Sequence, residues 1–77
     1  MLEDGTYSAI VVDADDAGAE EPGVVRVELA VTTGPHKGEV IALRGRFPGI
    51  AAIDLLAEPA TITVRDGRPG VTLDRSG

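Results

Sequence analysis

Between residues 24 and 32 apolar and polar side chains alternate, with Val25, Val27, Leu29 and Val31 on one parity and Arg26, Glu28, Ala30 and Thr32 on the other. An extended chain sends successive side chains to opposite faces, so this period of two predicts a half-buried strand. Similar runs recur along the chain. After the Asp4-Gly5 turn signal, residues 6 to 12 are rich in β-branched and aromatic side chains and predict a first strand. Residues 39 to 46 predict a third, with Ile41 and Leu43 inward, Ala42, Arg44 and Arg46 outward, and Gly45 as a bulge or bend where the sheet curls. Residues 60 to 65 and 70 to 74 predict two more, joined by Asp66-Gly67-Arg68-Pro69-Gly70, in which Asp-Gly is a hairpin signal. Between the third and fourth strands, Ile50, Ile53 and Leu56 or Ala57 recur at helical spacing, which predicts about two turns of helix over residues 50 to 57. The restriction on the residue before Pro59 ends it. Residues 13 to 23 have acids, small side chains, Pro22 and two glycines without apolar period, and read as the least ordered internal loop. Thr33-Gly34-Pro35-His36-Lys37-Gly38 reads as a turn.

Three strands, a short helix and two strands make an all-β chain. A helix placed between strands 3 and 4 of a five-stranded Greek-key barrel is the OB arrangement, whereas an SH3-like barrel carries only a 3₁₀ turn, and later. The expectation is one OB-like β-barrel domain over residues 1 to 77, cored by Val25, Val27, Leu29, Val31, Ile41, Leu43, Ile53, Ile62, Val64 and Leu73. Matching inward residues across strands 2 and 3 leaves two registers, Leu29 opposite Ile41 or opposite Leu43. Either sets one Arg-Arg pair directly cross-strand, Arg26 with Arg44 in the first and Arg26 with Arg46 in the second.

Charge narrows the function classes. The net charge of −6 is unevenly spread, with residues 1 to 31 carrying −7 and the remainder +1. An acidic chain gains nothing from long-range attraction to nucleic acid or anionic lipid. With no cysteine, neither a disulfide nor a thiolate-bound zinc supports the fold. No apolar run approaches the roughly 20 residues of a membrane span, and the Met1-Leu2-Glu3-Asp4 start is acidic where a signal peptide is basic, so a cytoplasmic protein without membrane association is expected.

Candidate chemistry is sparse. His36 is the single imidazole and sits on a glycine-flanked turn with no nucleophile or orienting carboxylate named beside it, so its expected role is that of an exposed turn residue. Asp13-x-Asp15 with Gly18 begins like a calcium loop, but Ala17 and Val24 occupy positions that need oxygen ligands. The glycines of the 33–38 turn precede a strand, not the helix that a phosphate loop requires. The expectation is therefore no enzyme, no cofactor and no metal site. What remains for binding is Arg26, Arg44, Arg46, Lys37 and Arg68, centred on the outer face of strands 2 and 3. Tyr7 divides between a core or rim role and a binding one, and Phe47 is expected to anchor the strand-to-helix turn.

Gly5-Thr6-Tyr7, the alternating Val25 to Val31 run and the Gly34-Pro35-His36-Lys37-Gly38 turn together resemble the first half of phage-type OB-fold single-strand-binding proteins, over residues 5 to 44. The resemblance implies a single-strand-binding barrel. Departures are the short chain, the poverty in aromatics and the lack of an acidic C-terminal tail. The same turn also resembles the KOW-type turn of transcription and ribosomal proteins. No binding residue carries over from either. The leading expectation is a non-enzymatic protein-interaction or assembly module with an acidic protein partner, self-association remaining open; the alternative is a weak single-stranded nucleic-acid binder, which the charge disfavours.

Overall fold

The computed structural model describes residues 2–16 and 22–74. Five strands, β1 (Gly5–Asp16), β2 (Val24–Val31), β3 (Val40–Arg46), β4 (Pro59–Arg65) and β5 (Arg68–Leu73), form one antiparallel sheet in the order β3-β2-β1-β4-β5. The sheet curls into a half-barrel, with a single turn of helix, α1 (Ala52–Leu55), between β3 and β4. β3 and β5, the two ends of the ladder, touch across the curl, and this order is compatible with an OB-like small β fold. No helix among the described residues is long and apolar enough to cross a membrane.

Alternation builds the interior as expected in the middle of the sheet. Val25, Val27, Leu29 and Val31 of β2 are buried against Ile62 and Val64 of β4 and Ala9 and Val11 of β1. Ile41, Leu43 and Leu73 pack on this core but stay half-buried, because they lie on the two edge strands. Leu2, from the acidic start of the chain, is also buried.

Three local expectations need correction. The first concerns residues 13 to 16, which belong to β1 and not to a loop; residues 17 to 21 of that expected loop lie outside the described residues. A bulge at Val12 explains the difference. Val11 pairs with Leu29 and Asp13 with Glu28, so Val12 is the extra residue, and the phase of alternation resets after it. Ala14 then faces inward, opposite Val27, while Asp13 and Asp15 reach the outer face. Without the bulge both carboxylates would point into the core.

The second concerns Gly45, which pairs regularly with Val25, so of its two expected roles the bulge is absent. Its lack of a side chain serves close packing: a Cβ there would come within 3.2 Å of the Phe47 ring and 3.7 Å of Val71 on β5. Phe47 packs on the core as expected.

The third is the helix. It runs one turn, not two, and Ile53 is 75% exposed while Leu55 is fully buried. Ala51 at its start supplies no side-chain cap, and the Asp54 N–H donates to the Ala51 carbonyl at 2.9 Å. Its end is set by β1. Ala57 donates to the Val11 carbonyl at 2.8 Å, and Val11 donates to the Glu58 carbonyl at 3.0 Å, which draws the chain into extended pairing before a second turn can form. Ala52 and Leu55, three apart, become the inward residues.

The Asp66-Gly67 hairpin is a two-residue turn with positive φ at both positions, 52° and 74°, the type I′ geometry that matches strand twist. β5 accordingly starts at Arg68, earlier than residue 70. Asp4 fastens this turn. Its carboxylate accepts hydrogen bonds from the backbone N–H groups of Asp66 at 2.9 Å and Gly67 at 3.1 Å. Asp4→Ala should lower stability by about 1 kcal/mol, with Asp4→Asn in between because one acceptor oxygen remains. Urea denaturation of both variants checks this ordering.

Candidate functional site

The ladder register decides which of the candidate arginines meet. Leu29 stands opposite Ile41, so Arg26 stands directly opposite Arg44 and Arg46 opposite Val24. On the other side of β2, Arg26 faces Asp15 and Glu28 faces Asp13. The outer face thus carries two rows across three strands: Arg44, Arg26, Asp15 and, beside it, Ala42, Glu28, Asp13. These residues line a shallow groove of about 510 Å³. Sign changes across it, basic at β3 and acidic at β1.

Arg46 shares the face of Arg44, and its guanidinium donates to the Pro22 carbonyl at 3.3 Å, just before β2. Lys37 and Arg68 do not join the cluster. Lys37 lies in the turn between β2 and β3, and its backbone N–H donates to the Gly34 carbonyl. Arg68 opens β5 opposite Arg65, so a second Arg-Arg pair stands at the neck of the last hairpin. Arg65 was not singled out from the sequence, although a two-residue Asp-Gly turn necessarily sets its flanking residues opposite each other. Alternation already places Glu28 on this face beside Arg26; the residues of the groove that it misses are Asp13 and Asp15, which depend on the bulge.

His36 is half-buried and has a structural part, which corrects the expectation of an exposed turn residue. Nδ1 of its ring is hydrogen-bonded to the Glu39 carboxylate, and the ring meets Tyr7 edge-on, with centroids 5.7 Å apart and planes at 80°. The Tyr7 hydroxyl donates to the Glu3 carbonyl. Both groups therefore tie the 33–38 turn and the chain start to β1, and neither aromatic ring enters the groove. Asp13 and Asp15 lie on a strand face instead of a cation-wrapping loop, and among the described residues no three His, Cys, Asp or Glu side chains come together as a metal-ligand set.

A second, smaller cleft of about 280 Å³ lies where β3 and β5 approach, walled by Leu2, Val40, Ile41, Val64 and Pro69. Among the described residues it presents no charged side chain. Comparison with family models, with curated proteins and with solved structures finds no match to this chain, so its function is read from these residues alone.

Proposed function

We propose that this chain is a non-enzymatic protein-interaction module that docks an acidic partner on the outer face of β1, β2 and β3. The observation that carries the reading is the Arg26–Arg44 pair, set side by side in the β2–β3 ladder. Like charges directly opposite are mildly destabilising, and the guanidinium forks so placed suit bidentate binding of carboxylates. Asp15 and Asp13 along the β1 rim shape the partner: its acids belong over β2 and β3, and neutral or basic groups over β1.

Single-stranded nucleic acid is the second reading, supported by the OB-like strand order. Two features weigh against it. A phosphodiester chain is charged along its whole length and would pass over Asp13, Asp15 and Glu28, and no aromatic side chain lines the groove for bases to stack on. An anisotropy titration with labelled oligothymidylate at low and moderate salt separates the two. The protein-docking reading expects no saturable binding. Saturable binding that falls steeply with salt and disappears in Arg26→Gln/Arg44→Gln would transfer the function to nucleic acid.

A further inference from the structure

Ile53 is the most exposed large aliphatic side chain among the described residues, at 75%, and Leu56, 43% exposed, lies in the same concavity. This hollow, of about 440 Å³, is floored by Ala51 and Ala52 and rimmed at the end of β1 by Asp15 and Asp16. Among the described residues no basic side chain lines it. Scattered exposed aliphatics are ordinary on a protein surface, but two in one hollow beside two carboxylates form a surface with a definite complement.

We propose that this hollow, which shares only Asp15 with the arginine groove, is a second docking site for a segment of a partner protein that carries both aliphatic and basic side chains. Aliphatic groups of the segment cover Ile53 and Leu56, and its Lys or Arg side chains meet Asp15 and Asp16. Charge selects this occupant. A second copy related by a two-fold axis would bring the same carboxylates against their own kind, and an anionic lipid surface would be repelled likewise. An acidic segment of the kind suited to Arg26 and Arg44 is excluded from the hollow for the same reason.

The test uses two short fluorescein-labelled peptides, one combining Leu with Lys and one combining Leu with Glu. The Leu/Lys peptide should bind the parent saturably and the Leu/Glu peptide should not. Ile53→Ser, at a site that contributes little burial, and Asp16→Asn should each weaken the Leu/Lys peptide about tenfold, as loss of one covered aliphatic group or one charge pair implies. Leu56→Ser provides an independent second substitution with the same expected direction. Glu3→Gln, at the opposite end of the barrel, should leave this affinity unchanged, and Arg26→Gln/Arg44→Gln, which removes the cation opposite Asp15, should not weaken it, which separates the hollow from the groove. Equal binding by parent and Ile53→Ser, or equal loss in Glu3→Gln and Asp16→Asn, overturns the site in favour of general charge attraction. A concentration-dependent dimer in sedimentation that Ile53→Ser abolishes also overturns it, because the hollow would then be a self-contact.

Discussion

Replacing Leu29 by Ala is expected to lower the unfolding free energy by about 2–5 kcal/mol. Leu29 is completely buried, and it pairs with Val11 on one side and Ile41 on the other, so it spans the three strands that also form the groove. Close packing leaves neighbours unable to collapse fully into the space, and the lost contacts add to the lost transfer free energy. For a chain of this length, total stability is roughly 4–12 kcal/mol at the usual 0.05–0.15 kcal/mol per residue, so this single change removes a large share. Urea denaturation at constant slope is the appropriate readout, and a cost below about 0.5 kcal/mol, the level of an ordinary surface change, would mean that Leu29 is not at the centre of the core.

The second large effect contrasts two neighbours on one turn of helix. Leu55→Ala should cost about 2–5 kcal/mol, because Leu55 is fully buried beneath α1, whereas Ile53→Ala should stay within about 0.5 kcal/mol. The sequence pattern alone predicts the opposite assignment. Measuring both variants by the same denaturation distinguishes a one-turn helix presenting Ala52 and Leu55 to the core from a two-turn helix presenting Ile50, Ile53 and Leu56. Should Ile53→Ala prove the costlier, α1 sits in the wrong rotation here, and the proposed hollow is lost with it.

Legibility in the sequence followed the strength of the local pattern. β2 could be read almost to the residue, since its alternation is uninterrupted and both its neighbours are strands. The Asp66-Gly67 turn was equally plain, because only a narrow set of residues tolerates two consecutive positive φ values. β1 was read too short. Its last four residues include three acids, which have poor strand propensity, and they pair only because the Val12 bulge turns Asp13 and Asp15 outward and Ala14 inward. A bulge leaves no mark in a period of two except an apparent end to the strand. The helix was misread for a related reason: spacing of 3 and 4 over Ile50, Ile53 and Leu56 assumes that helix continues, and here tertiary pairing of Ala57 and Glu58 with Val11 stops it.

For the site, the sequence narrowed the register to two choices, of which the structure has the one with Arg26 opposite Arg44. It did not reveal that the same face carries carboxylates from β1, because that placement again depends on the bulge. Tyr7, for which core and binding roles stood open, is half-buried and hydrogen-bonded into the chain start. The acidic half of the chain is thus not merely solvated surface. It supplies the rim of the arginine groove and the rim of the aliphatic hollow.

The most direct measurement of the docking reading is a comparison of what is captured from the native cell extract by the immobilised parent and by Arg26→Gln/Arg44→Gln/Arg46→Gln, each first confirmed as folded by its denaturation midpoint. Substitutions of Arg26 and Arg44 should cost under about 0.5 kcal/mol each, and loss of the Arg46 hydrogen bond to Pro22 about 1 kcal/mol, so the folded variant remains a fair test. The account predicts that an acidic protein is retained by the parent, survives nuclease treatment of the extract, and is lost from the triple variant. Retention of the same proteins in the same amounts by both would contradict it, and would show that the face built around Arg26 and Arg44 is idle.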